Sequence, residues 1–168
     1  SAQRSSHQIS QTPSAITLVG LDELHLAGEN RIDRSLSKQP GTIVVSTGAT
    51  GSQSAVFMRG ASNHQTLLFV DGVRMNDRSA SYSNFLGSAD LVGIDRMEVL
   101  LGPQSTLYGS SAMGGVITLN TAMGTDGRTG LIQAEYGSFN TLVASTAISG
   151  HIRSTSYSFS ISRTQTDN

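Results

Sequence analysis

The 168-residue chain carries 11 basic and 12 acidic side chains, a net charge of −1, and its 14% charged fraction lies well below the ~25% of an ordinary soluble domain. With one lysine, scattered arginines and no cysteine, it offers no cation cluster for a polyanion, no disulfide framework and no thiolate metal site, so nucleic acid is excluded as an expected partner. Its 26 Ser, 16 Thr and 18 Gly favour turns and extended chain over a helical bundle, and 37% apolar residues suffice for one core.

No run approaches the ~18 consecutive apolar residues of a membrane-spanning helix, and Ser1 to Gln11 lacks a signal peptide's basic-then-apolar order. The expectation is a cytosolic protein or one whose signal has been removed. Residues 1–12 predict a flexible tail. Ala15 to Val19 predicts a β-branched strand, and Asp22 can cap a short helix through Leu24 and Leu26 that Gly28 and Asn30 end. Ile32 and Leu36, four apart between Arg31 and Lys38, share one helix face, and Pro40-Gly41 stops that helix. Ile43 to Val45 is a strand leading into Ser46 to Ser54, nine residues without a large apolar side chain and therefore an expected exposed loop.

Strands follow at Ala55 to Met58 and Leu67 to Val70, and Asp71-Gly72 turns the chain tightly into Val73-Arg74-Met75. Asn76 to Ser88 is expected as a second polar loop. Ile94 to Leu100 alternates apolar with charged residues, the period of a half-buried strand. Gly102-Pro103 ends it, Ser105 to Tyr108 makes one helical turn, and Val116 to Asn120 is the last strand of this unit. After the glycine-rich segment Met123 to Gly130, two alternating stretches, Leu131 to Ser149 and Ile152 to Arg163, predict a long β-hairpin turning at Gly150-His151. Its unpaired edges need neighbours, because a lone hairpin is marginal in water.

Motifs for chemistry are sparse. Ser35-Leu36-Ser37-Lys38 fits S-x-x-K without its partner motifs, and Gly109 to Gly114 misses a nucleophile elbow because Met113 stands where the second glycine belongs. The histidines at 7, 25, 64 and 151 have no ligand spacing, and no glycine loop is followed by the lysine of a phosphate cradle. Asp71, Asp77 and Asp90 are too widely spaced for an EF-hand, leaving Ca²⁺ only an oxygen-rich loop. No cofactor is expected, and the residues describe an α+β binding module with a small mixed sheet, short helices and attached strands, not an enzyme.

Ala55-Val56-Phe57-Met58-Arg59-Gly60, Leu67 to Asn76, Ile94 to Gly109 and Gly114-Gly115-Val116-Ile117, in that order, closely resemble the plug domain of TonB-dependent outer-membrane receptors. Gly87-Ser88-Ala89-Asp90 is most similar to the cobalamin-receptor branch. The resemblance implies a plug over residues 13–122 and, from 123 to 168, the first two strands of a transmembrane barrel of the 22-stranded plugged class. Each predicted strand exceeds the ~9–11 residues that an outer-membrane strand needs. On this reading the chain is a piece of a longer receptor, an incomplete barrel, that takes cobalamin or a ferric siderophore into the periplasm.

By the same resemblance, Arg59, Arg96 and Glu98 contact the barrel wall, although Leu101 replaces the arginine usual before Gly102-Pro103. The loops Ser46 to Ser54 and Asn76 to Ser88 face the ligand, through Ser46, Thr47, Thr50, Ser52, Gln53, Asn76, Arg78, Ser81, Tyr82, Asn84 and Phe85. Hydroxyls and amides suit a large polar ligand, and Tyr82 and Phe85 add apolar contact. Implied partners are the energising TonB protein, the rest of the barrel, the outer membrane and the nutrient. The recruiting segment of the family is not recognisable in Ser1 to Ser10. The competing expectations are a self-associating β-rich fragment and a serine hydrolase using Ser35 or Ser111.

Overall fold

The computed structural model describes residues 15–20, 29–76, 83–123 and 128–167; the expected tail and the expected helix through Leu24 and Leu26 lie outside them. The β-branched and apolar runs form the strands. β1 (Ala15–Gly20), β4 (Thr66–Val70), β5 (Val73–Arg74), β6 (Ile94–Leu101) and β7 (Gly115–Thr121) join one sheet in the order β1-β6-β7-β4-β5. β6 runs antiparallel to both neighbours, whereas β4 and β7 pair in parallel. β2 (Thr42–Ser46) and β3 (Ser54–Met58) form a separate antiparallel hairpin.

Alternation sends the side chains of the large sheet into two clusters. Met97, Val99 and Leu101 of β6, with Ile117, Leu119, Leu68 and Val19, meet a roof made by Val56 and Met58 of β3, Ile32 and Leu36 of α1 (Ile32–Ser37) and Leu86 of α2 (Ser83–Ser88). Leu100, Val116 and Leu67 point the other way with Ile16 and Phe69, beneath Ala112 and Tyr108 of the single-turn α3 (Ser105–Tyr108). The Phe69 and Tyr108 rings lie 5.4 Å apart and tilted by 49°, a favourable aromatic geometry. Burying each large aliphatic side chain in these clusters stabilises the fold by roughly 1.5–3 kcal/mol before entropy is counted.

Three expectations change. The segment Asn76 to Ser88 is not wholly loop: Ser83 to Ser88 is helical, because Leu86 is fully buried within the roof cluster and tertiary burial outweighs a polar composition. β6 is not half-buried: as a central strand it is covered on both faces from Met97 to Leu101, and Glu98 is only 5% exposed. The C-terminal hairpin carries a third strand, in the order β10-β9-β8, with β8 (Arg128–Gly137), β9 (Thr141–Ile152) and β10 (Thr155–Gln165). Gly150 and His151 lie inside β9. The turns fall where Phe139, Asn140 and Arg153 take left-handed backbone, with φ of 57°, 53° and 58°, the geometry of tight hairpin turns.

This second sheet is two-faced. Ile132, Ala134, Leu142, Ala144, Ile148, Phe159 and Ile161 share one face by register, and Ile132 is 87% exposed there. Gln133, Ser145, Ser149, Ser158, Ser160 and Ser162 share the other with Leu131, Val143 and Ala147, and it lies towards the plug. Apolar-out, small-and-polar-in alternation over strands of 10, 12 and 11 residues is that of an outer-membrane barrel wall. Among the described residues no helix is long and apolar enough to cross a membrane.

Candidate functional site

The β2–β3 hairpin ends in the loop 47–53, which is ordered by its own backbone: Thr47 N–H donates to the Gln53 carbonyl (3.0 Å) and Ser52 N–H to that of Ala49 (3.0 Å). Ser46 and Ser54 are not loop but the last pair of the ladder, and their hydroxyls lie 2.9 Å apart. Thr47 and Gln53 are exposed and Thr50 is half-buried. Ser52 turns inward, its hydroxyl oxygen buried without a hydrogen-bond partner.

α2 stands directly against this loop. A Cβ on Gly87 would fall inside the Ser52 carbonyl, so only glycine admits the approach. Asn84 is exposed and Phe85 half-buried on the same helix, so residues 83–88 of the second expected ligand segment form one surface with the loop. Asn76 sits apart from it: its amide donates to the Thr66 carbonyl (2.9 Å) and accepts from Leu68 N–H (2.8 Å), extending β5 along β4. Arg78, Ser81 and Tyr82 lie outside the described residues.

Arg96 and Glu98 meet as an ion pair at 3.2 Å, with the glutamate side chain 7% exposed and the arginine 44%. Their strand neighbours on that face are Thr118 and Asn120 of β7. Arg59 stands elsewhere, in a left-handed turn (φ 50°) after β3, with Nη1 3.0 Å from where a Cβ of Gly102 would be. The structure therefore pairs two of the three expected wall-contact residues and sets the third over the Gly102-Pro103 bend.

Sequence reasoning missed a second group, Asn30, Arg31, Asp33 and Asp90. Segments 30–32 and 89–91 form a small antiparallel bridge, through Leu91 N–H to the Asn30 carbonyl (2.8 Å) and Ile32 N–H to that of Ala89 (3.3 Å). From it the Asn30 amide oxygen accepts from Gln133 of β8 (2.7 Å), and Asp90 accepts from Ser162 of β10 (2.5 Å). Gly93, at φ 80°, lets Ser160 come within 2.6 Å of its missing Cβ. A cleft of about 400 Å³ opens beside this junction, lined by Arg31, Arg34, Thr50, Asp90, Glu135 and Tyr136 among others. The only legible signal was the segment Gly87 to Asp90, noted for its resemblance and not for a wall contact.

Of the serines weighed for hydrolysis, Ser35 is 4% exposed within α1, and Ser111 lies in the turn before β7. His151 Nδ1 lies 3.0 Å from the Ser156 hydroxyl. Among the described residues no group of three or more His, Asp or Glu side chains is arranged to hold a metal.

A mixed sheet roofed by a hairpin and docked on the small-residue face of three membrane-type strands defines a plug with part of its barrel wall. Residues 8–116 match the TonB-dependent receptor plug domain, and the chain belongs to that family, whose receptors are outer-membrane proteins. It is 37% identical over 108 residues, 64% of its length, to the Vitamin B12 transporter BtuB of Vibrio vulnificus, of which it covers 17%. Its fold is similar to that of Pseudomonas aeruginosa FpvA bound to a ferric pyoverdine, with a TM-score of 0.76, 27% identity, and coverage of 89% of this chain and 19% of that one. The ferric yersiniabactin uptake receptor FyuA of Yersinia pestis gives a TM-score of 0.73 at 27% identity, with coverage of 94% and 24%. The chain thus spans a quarter or less of each of these relatives.

Proposed function

We propose that the receptor carrying this chain takes up a large, scarce nutrient, a cobalamin or a ferric siderophore, across the outer membrane, with residues 13–122 as its gate and 123–168 as the start of its wall. The observation that supports this most is the single surface made by loop 47–53 and α2, within a plug 37% identical to part of a vitamin B12 transporter. Exposed Thr47, Gln53 and Asn84 supply neutral donors and acceptors for a large polar ligand, and Phe85 supplies apolar area. The reading also assigns ligand contact to Arg78, Ser81 and Tyr82.

No covalent chemistry is proposed. Ligand capture on the outer surface biases the far end of the plug, and the TonB protein, drawing on the N-terminal segment from the periplasm, shifts the plug within its barrel. Arg59, Arg96 and Glu98 hold the plug to further barrel strands, and the free edges of β8 and β10 seat those strands. The fold is built of short strands with two modest clusters, which suits a domain that yields locally.

Calorimetric titration of the complete receptor in detergent with cyanocobalamin, ferric pyoverdine and ferric yersiniabactin tests the reading. Saturable binding of one of them, weakened by Asn84→Ala and by Gln53→Ala, is expected. Binding that neither substitution alters would remove these loops from the ligand site, and no binding of any of the three would overturn the nutrient assignment.

A further inference from the structure

Loop 47–53 and α2 are both hung on one ion pair within the fold. Arg31 grips Asp33 through Nε (3.0 Å) and Nη2 (2.8 Å), and the two side chains are 14% and 8% exposed. The carboxylate is fully used: Oδ1 also accepts Arg34 N–H (2.8 Å), and Oδ2 accepts the Ser54 hydroxyl (3.1 Å), which itself meets Ser46. The guanidinium is shared as well, since Nη2 donates to the Gly87 carbonyl at 2.6 Å. Asp33 thereby holds the base of the loop, and Arg31 holds the end of α2.

We propose that Arg31 and Asp33 are positioning residues of the ligand surface, a clamp that fixes loop 47–53 and α2 in one relative placement and ties both to the barrel wall. The inference rests on the reading of those segments as ligand-facing. Two independent contacts converge on Gly87: its carbonyl is held by Arg31, and its Cα lies against the Ser52 carbonyl. In a pair this shielded, removing either partner strands the other charge away from water. The bridge from Arg31 to Asp90 continues the tie, since Asp90 holds Ser162 and neighbouring Asn30 holds Gln133. Movement of the ligand surface therefore reaches the wall through this pair.

The chain has no cysteine, so spin labels can be placed in it without background from these residues. In the complete receptor, labels at Thr50 and Asn84 report the spacing between the loop and α2, and labels at His64 and Thr106 serve as a control. A narrow distribution is expected for the unmodified pair at 50 and 84. Asp33→Asn should at least double its width, Ser54→Ala should broaden it less, and Arg31→Lys, which keeps the charge but loses the fork, should fall between wild type and Arg31→Gln. The control distance should stay unchanged throughout. If Asp33→Asn fails to fold, Ser54→Ala and Arg31→Lys carry the test. Unaltered 50–84 distances in the folded variants overturn the proposal, and so does equal broadening of the control. The clamp is read without ligand, so failure of cyanocobalamin and both siderophores to bind would count against the nutrient assignment alone.

Discussion

Asp71 and Thr121 are fifty residues apart in sequence and doubly bonded in the fold. The carboxylate accepts Thr121 N–H and the Thr121 hydroxyl, each at 2.8 Å, and Asp71 N–H donates to the Leu119 carbonyl at 2.9 Å. The turn after β4 is thus stitched to the end of β7, although Asp71 must hold a left-handed φ of 47°, which aspartate tolerates better than most residues. Replacing it by alanine removes both carboxylate bonds and retains the strain. A loss of about 1–2 kcal/mol of local stability is expected, seen as roughly 5- to 30-fold faster hydrogen exchange at the Asp71 and Thr121 amides at neutral pH.

Asn76 is expected to matter for the sheet before it matters for ligand. Asn76→Ala frees the Leu68 N–H and the Thr66 carbonyl that its amide occupies, at a cost of about 1–3 kcal/mol. Asn76→Asp sets an acceptor against that carbonyl and should be no better. Loss of protection at the Leu68 amide is the outcome to look for in Asn76→Ala, with the Thr47 amide unaffected, whereas in Asn76→Asp a carboxylate oxygen still accepts from Leu68 N–H and only the Thr66 carbonyl loses its donor.

Within α2, neighbouring positions should separate cleanly. Leu86→Ala opens a cavity beneath the roof and should cost about 2–5 kcal/mol. Asn84→Ala, on the exposed side, should change stability by no more than about 0.5 kcal/mol. Urea unfolding of the complete receptor followed by a label on β3 would distinguish the two.

Gly87→Ala tests the contact between α2 and the loop. The new methyl must displace the Ser52 backbone, and overpacking against backbone costs about 1–3 kcal/mol or more. Faster exchange of the Thr47 and Ser52 amides is expected, with the amides of β8 to β10 unchanged.

On the wall, Ile161→Arg should impair membrane assembly more than Ser162→Arg. Ile161 lies on the apolar face, where an arginine near the bilayer midplane costs about 2–4 kcal/mol. Ser162 faces the plug, where the same change breaks its bond to Asp90 but meets no lipid. Heat-modifiable gel mobility of the two receptors in native membranes reports the difference.

Strand-forming runs with a clear period were legible before any coordinates: Ile43 to Val45, Leu67 to Val70 and Val116 to Asn120 lie where composition put them. α2 was hidden because Ser83, Asn84, Gly87 and Ser88 look like loop residues, and only Leu86, buried by elements distant in sequence, makes the segment helical. The turn at 138–140 was obscured because Phe139 is an unusual residue for left-handed backbone, whereas Gly150, the more obvious breaker, is spanned by β9 beneath the Tyr157 ring. The exposed residues Thr47 and Gln53 could be nominated from polarity and resemblance. Arg31 and Asp33 could not, since nothing local distinguishes an R-x-D step in a helix start from solvated charges, and its meaning comes from Ser54 and Gly87, 21 and 56 positions away.

The two faces of the β8–β10 sheet differ in what it takes to part them from their surroundings. On the outer face, drawing Ile132, Phe159 or Ile161 away from hydrocarbon into water carries the full cost of wetting carbon. On the inner face, the Ser162 hydroxyl exchanges its Asp90 acceptor for a water molecule almost one for one, and Ser145, Ser158 and Ser160 beside it present hydroxyls that water also satisfies. The same three strands are therefore an anchor on one side and a low-friction bearing on the other, and a plug seated on serine can be both well fitted and removable.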